Sequence, residues 1–259
     1  MTHSPPLQRQ VARHRWSHAE LIRVRNTSAM ALAATSGATD AIGYLTLGHV
    51  FTSAMTGNLV LLGISLGHRN GERAGRVLAS LACFMVGAAL GARIARSPKA
   101  DDPVWPSAIT RALAIEAVIF VMYAACWWAV GARPDIVAKA VLLGLGAIAL
   151  GIQSSAMQRF GVGLNTTFLS GSLTTLVGQL ATGHRFRETR HHLLLLLGLV
   201  CGGAMAALLV IHSPAFAPLI QLIPLAAALA GAVWLGRAGR HVTNERVRNE
   251  GVLDAIPTA

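Results

Sequence analysis

Charge is the scarcest property of this sequence. Asp, Glu, Lys and Arg make up 13% of its 259 residues, where a soluble domain carries about 25%. That shortage excludes an ordinary soluble fold. Acids are scarcer still, 11 against 22 Lys and Arg, for a formal net charge of +11. Such an excess can signal nucleic acid, but the arginines lie between apolar segments, where membrane topology accounts for them. Nucleic acid is therefore not an expected partner. Cysteine numbers three: Cys83, Cys126 and Cys201, each inside an apolar stretch. An odd, widely spaced set supplies neither a disulfide framework nor a metal site, and reads as packing. Met1 to Asn26 is basic and polar, without the short apolar core of a cleavable signal peptide. No nucleophile–base arrangement, phosphate loop or metal-ligand spacing stands out, and Gly144-Leu-Gly146 lies inside a span with no following lysine. The expectation is no enzyme, no catalytic residue, no cofactor and no metal.

What is abundant is apolar sequence. Hydrophobic residues make up 53% of the chain, and the mean hydropathy is +0.53. Eight segments of about 17–23 residues recur, at 28–48, 50–67, 75–95, 108–130, 136–158, 164–182, 192–212 and 217–236. At about 1.5 Å per residue each could cross about 30 Å of hydrocarbon. The fold class read here is all-α, a polytopic membrane helix bundle of about eight hydrophobic segments making six to eight crossings, with the lipid bilayer as its surroundings. If all eight cross from a cytoplasmic N-terminus, 17 of the 22 Lys and Arg fall inside. Arg93, Arg96, Lys99, Arg111 and Arg159 remain outside. The positive-inside bias then predicts eight crossings with both termini cytoplasmic. Trp105, Trp127, Trp128 and Trp234 fall near span ends, as an aromatic belt requires.

Two stretches repeat. FTSAMTGNLVLLGISL (51–66) matches NTTFLSGSLTTLVGQL (165–180) at a shift of 114 residues. Thr52 meets Thr166, Thr56 meets Ser170, Gly57 meets Gly171 and Asn58 meets Ser172. Upstream, Gly37 meets Gly151 and Asp40 meets Ser154, while Gly87-x-x-x-Gly91 parallels Gly198-x-x-x-Gly202. The chain divides into a basic tail or interfacial helix (1–26), two four-segment pseudo-repeats (27–134 and 135–237) and a C-terminal tail (238–259). Four crossings per half predict a parallel repeat. The glycine pairs predict close helix contacts, within one chain or in a homo-oligomer through Gly87, Gly91, Gly198 and Gly202.

TDAIGYLTLGHVFTSAMTGNLVLLG (39–63), followed by GIQSSAMQRFGVGLNTTFLSGSLTTL (151–176), resembles the YoaK-type family of bacterial inner-membrane proteins. The resemblance runs from about residue 28 to 236. Its most specific part is Asp40…Phe51…Thr56-Gly57-Asn58. The second block departs from the family's pattern at Ser154, where Asn is usual, and at Ser170-Gly171, where Thr-Gly is usual. The resemblance implies a multi-pass inner-membrane fold and supplies no mechanism.

The polar residues of the repeat are the candidate site. On a helix, Thr52, Thr56 and Gly63 share a face, with Ser53 and Gly57 beside them. Asn58 and Ser172 would both sit near the midplane. The substrate-binding set is then Asp40, Thr52, Thr56, Gly57, Asn58, Thr166, Ser170, Gly171 and Ser172, gathered around a central cavity for a small polar solute or ion. Asn58 is its best single ligand, since an amide both donates and accepts. Asp40 is the sharpest signal, because a carboxylate inside a span is costly unless protonated, paired or hydrated. Glu116 is the other carboxylate well inside a span, and Arg111 does not share its face. Gln153 and Gln179 could line the same cavity. His49, His68, His191 and His192 sit at span ends as surface residues. A transporter or permease is the leading expectation. The alternative is a membrane scaffold or partner protein in which these motifs only pack helices; an intramembrane enzyme ranks last.

Overall fold

The computed structural model describes residues 18–95, 105–159, 169–182 and 186–253, leaving out the side chains at 18, 159, 169–170, 186–189 and 238–253. Every regular element among them is helical. Eight α-helices follow in order: α1 (His18–Thr46), α2 (Met55–Gly67), α3 (Gly71–Ala95), α4 (Ser107–Ala129), α5 (Ile136–Arg159), α6 (Leu169–Ala181), α7 (Phe186–His212) and α8 (Leu219–Leu253). A 3-10 turn, Pro214–Phe216, joins the last two. The all-α polytopic membrane bundle is therefore the fold. Helices α3, α4, α5, α7 and α8 are long and apolar enough to cross a membrane. Helix α1 is equally long, at 29 residues, but carries Asp40 and many small polar residues. Helix α2 has 13 residues, about 20 Å, too short to cross alone; the described part of α6 also has 13. The first helix begins at His18, so the end of the basic tail is continuous with it.

Glycine sets the principal contacts. Helix α7 lies along α1, and α5 along α3. A Cβ added at Gly198 or Gly202 would run into the carbonyls of Met30 and Ala34 on α1, and one at Gly37 into that of Leu199 on α7. Likewise Gly87 and Gly91 on α3 meet the carbonyls of Ile148 and Ile152 on α5. Only glycine permits backbones to approach this closely. All four glycines of the oligomer expectation are thus buried against another helix of the same chain. A homo-oligomer through them is corrected, because no surface is left there for a second copy. The match between the two glycine pairs is also displaced by one helical turn. Gly87 faces Ile148 as Gly202 faces Ala34, so Gly202, not Gly198, is the counterpart of Gly87.

These contacts fix helix directions. Met30 and Ala34 meet Gly198 and Gly202 in the same order, so α1 and α7 run parallel; α3 and α5 do so by the same test. Helix α5 is antiparallel to α1. Gln153 Nε2 donates to Leu32 O at 3.3 Å and to Ser36 Oγ at 2.9 Å, whereas Gly146, seven residues earlier, packs on the Thr39 methyl. Helix α8 is antiparallel to α1, with Gln221 at Thr35 and Thr39 and Gly231 at Ser28. Helix α4 runs with α1, since Trp127 Nε1 donates to Pro214 O at 2.9 Å and Trp128 Nε1 to Ala215 O at 2.7 Å at the α7–α8 turn. The six long helices therefore alternate in direction along the chain.

Helix α2 does not reverse α1. It pairs antiparallel with α3 through the short turn at 68–70 and the Asn58–Ser80 contact, so it runs in the same sense as α1. The chain between them (47–54) folds back against α1, and α2 then resumes the original direction. Among the described residues, 27–134 thus hold three long helices of alternating direction, with α2 adding no reversal, rather than the four passes expected. The expected parallel relation of the halves is corrected, because α1 and α5 point opposite ways. The aromatic belt is corrected at Trp105 and Trp127, both fully buried.

Candidate functional site

The polar motif is mostly loop, and its work is on the backbone. Leu47 to Ala54 is not helical, and Met55 opens α2. Thr52 and Ser53 therefore share no helix face with Thr56, and Asn58 lies in the first turn of α2 rather than at mid-span. A loop folded into a membrane bundle has main-chain groups that lipid cannot satisfy, each costing several kcal/mol if left bare. Asp40 and Asn58 meet that need.

Asp40 is six residues before the end of α1. Its Oδ1 accepts from the Thr52 N–H at 2.6 Å, the Ser53 N–H at 2.7 Å and Thr52 Oγ1 at 2.9 Å. Its Oδ2 accepts from Ser53 Oγ at 2.6 Å. The two amides belong to the turn entering α2, whose helix N-terminus also favours a negative group. Asn58 holds the next strip of loop. Its Oδ1 accepts from the Phe51 N–H at 3.0 Å, and its Nδ2 donates to Phe51 O at 2.7 Å and to Ser80 Oγ at 3.3 Å. Ser80 Oγ donates to the same carbonyl at 2.7 Å. Thr52 and Asn58 are fully buried, and Ser53 nearly so. Both the oxygen and the nitrogen of the Asn58 amide are thus engaged with neighbours inside the chain.

The two motif copies are not joined. Helix α2 packs on α3 and α6 on α7. Among the described residues no central cavity brings Asn58 to Ser172. Thr166 and the Ser170 side chain lie outside the described residues. Ser172 is buried within α6, Gly171 is open with no atom near its absent Cβ, and Thr56 is exposed. Gly57 packs against the Phe51 ring.

What remains open at the site is a groove. It runs between α1 and α7, closed at one end by the loop, with a cavity volume of about 450 Å³. Asp40, Tyr44, Phe51, Ala54, Leu199 and Val200 line it. Asp40 is half-buried there. Tyr44 and Phe51 stack with ring centroids 5.2 Å apart, and His49, at φ +60°, sets its ring edge-on to Tyr44 at 5.3 Å. The expected binding set left out Tyr44 and the α7 residues, and Phe51 entered only through the family pattern, because periodicity alone does not say that α7 is the neighbour of α1.

A second polar set lies in the bundle interior. Thr39 Oγ1 donates to Thr35 O at 2.7 Å and accepts from Gln221 Nε2 at 3.2 Å. Thr35 Oγ1 donates to Gln221 O at 3.3 Å, and the Tyr123 hydroxyl lies beside the Gln221 side chain. Gln153 ties α5 to α1 rather than lining a cavity. Glu116 is fully buried on α4, and neither carboxyl oxygen has a hydrogen-bond partner. Among the described residues no group of three or more His, Cys, Asp or Glu could hold a metal ion.

Comparison with known proteins agrees with a membrane bundle. The chain is 34% identical over 209 residues to the UPF0700 transmembrane protein YoaK of Bacillus subtilis (strain 168), covering 78% of this chain and 89% of that protein. No solved structure matches. Residues 28–232 match the family model described as a protein of unknown function, DUF1275, and the chain belongs to that family.

Proposed function

We propose that this protein is a transporter or permease for a small solute or ion, with its site at the Asp40 groove rather than at paired midplane motifs. One observation carries the reading: a span is interrupted at 47–54, and the break is held inside the bundle by a carboxylate. Discontinuous spans of this kind surround the substrate in many transporters.

The helix directions support an internal repeat of inverted topology. Units α1–α4 and α5–α8 each hold three of the six long alternating helices, and in the first unit α2 continues the direction of α1. An odd number of passes reverses the second unit, as in transporters that alternate access about a pseudo-twofold axis in the membrane plane. Charge supports an inner-membrane protein with both termini cytoplasmic. In the six-pass arrangement only Arg69, Arg73, Arg76, Arg133 and Lys139 adjoin the face opposite the termini; the other 17 Lys and Arg adjoin the face that the termini share. The reading includes no catalysis, since the polar groups of the motif are engaged with backbone.

A scaffold without transport is the second reading. It is favoured by the internal hydrogen bonds of Thr52, Ser53 and Asn58. Ligand-induced thermal stabilisation of the purified protein, screened across ions and metabolites and followed by flux in proteoliposomes, separates the two. A stabilising solute that is also carried, and whose effect is lost in Asp40→Asn, supports transport. No stabilisation and no flux for any solute leaves the scaffold.

A further inference from the structure

We infer that the groove beside Asp40 takes a small amphipathic organic cation, an apolar body carrying one positive group, admitted from the lipid side. The inference rests on the transporter reading for its choice of site and adds the chemical class.

The walls set the apolar body. Gly37, Ala41, Leu45, Leu199 and Val200 surround Asp40 together with the stacked rings of Tyr44 and Phe51. A volume of about 450 Å³ lies within the roughly 300–1,000 Å³ of small-molecule sites. Val200 is 65% exposed and Leu45 46%, so the groove opens sideways, toward lipid.

The charge sets the head. Asp40 is the one acidic or basic side chain lining the groove, and among the described residues no Lys, Arg or His forms a salt bridge with it. Four donors hold it, three on Oδ1 and one on Oδ2. A carboxylate offers about four lone-pair sites, two per oxygen, so Oδ2 keeps acceptor capacity. The donors are neutral dipoles and leave the net charge in place. An anion is repelled there. A polyol would face apolar walls around a single acceptor and lose its hydration without replacement. A cation gains the carboxylate and, beside it, the Tyr44 and Phe51 rings, which attract positive charge.

Two ions of nearly equal size and opposite sign test this. Radiolabelled tetraphenylphosphonium and tetraphenylborate are bound to the protein in lipid nanodiscs, with empty nanodiscs subtracted for partitioning. The phosphonium should bind saturably and the borate should not. Asp40→Asn keeps the shape and an acceptor oxygen, and should weaken phosphonium binding by about tenfold or more. Val200→Trp narrows the groove from its exposed side without touching the Asp40 hydrogen bonds, and should weaken binding comparably; it carries the test should Asp40→Asn fail to fold. Absence of saturable phosphonium binding, equal binding of both ions, or parental affinity in a folded Asp40→Asn or in Val200→Trp overturns the inference. Proteoliposome flux separates the two proposals. Saturable binding without flux defeats the transporter reading and leaves the cation site. Flux of other solutes without phosphonium binding does the reverse.

Discussion

Asn58 pairs with Phe51 as one strand pairs with another: the side-chain amide accepts from the Phe51 N–H at 3.0 Å and donates to its carbonyl at 2.7 Å. A side chain from the first turn of α2 thereby completes the main chain of a loop seven residues earlier. Asn58→Ala strips both partners at once. Ser80 still reaches the carbonyl, but the N–H is left bare in a buried site, at a cost of about 1–3 kcal/mol. The expected result is a lower melting temperature for the purified variant. Asn58→Ser should fall between Ala and the parent, since a hydroxyl can serve the N–H but not both groups. A melting temperature for Asn58→Ala equal to the parent's would show that the loop does not depend on this pair.

The α1–α7 contact gives a sharper loss. Gly37→Leu would drive a side chain into the Leu199 carbonyl, and Gly202→Leu into that of Ala34. A backbone atom has no rotamer to retreat into, so the helices must separate. Both variants should fail to yield monodisperse protein. Gly171→Leu is the control, since no atom lies within 4 Å of its added Cβ, and it should purify like the parent. Normal yields for Gly37→Leu would mean that α7 does not lie against α1.

Glu116 is a candidate for improvement. The carboxyl is fully buried on α4 with neither oxygen bonded, and an unsatisfied buried polar group costs about 1–3 kcal/mol. Glu116→Leu keeps the bulk and removes the cost, so the melting temperature should rise. Glu116→Gln should bring little change, because it leaves polar atoms in the same site. A fall with Leu would reveal a partner, such as a bound water or ion, that the carboxyl needs.

The sequence made helices, membrane and polar motif legible, and not their arrangement, for reasons that particular residues illustrate. Apolar length identified the apolar spans of α3, α4, α5, α7 and α8 to within a few residues, but not that α7 begins at Phe186 or that α8 runs on to Leu253, through the expected C-terminal tail. It also ran Phe51 to Leu66 together as one segment, because Thr52 and Ser53 are as tolerable in a membrane helix as in a loop. What marks them as loop is Asp40, twelve residues upstream, and Ser80, far downstream. The 114-residue shift is visible in the sequence, but whether it stands for parallel or inverted halves depends on how many passes each half makes. That number turns on whether α2 reverses α1, which hydropathy does not report. Seventeen basic residues fall on one side under the eight-pass reading and again under the six-pass one, so the charge count that favoured eight passes was blind to the difference.

Labelling separates those two topologies. With eight passes, the turn after α2 and the start of α7 share a face. With six, they are on opposite faces, because α2 runs with α1 and α7 runs with α1 as well, so the end of one and the beginning of the other are separated by the membrane. Asn70→Cys at the α2–α3 turn and Arg190→Cys near the start of α7 report on these positions. Both belong in a background with Cys83, Cys126 and Cys201 replaced by Ala. Asn70 and Arg190 are exposed, so access is limited by the bilayer and not by packing. An impermeant maleimide added to intact cells should label the Asn70→Cys variant and spare the Arg190→Cys variant if the termini are cytoplasmic. After permeabilisation both should react. The opposite pattern, with the Arg190→Cys variant alone labelled, would keep six passes and invert the orientation. Equal behaviour at both positions in intact cells, whether both labelled or both spared, would defeat the six-pass arrangement and with it the inverted repeat.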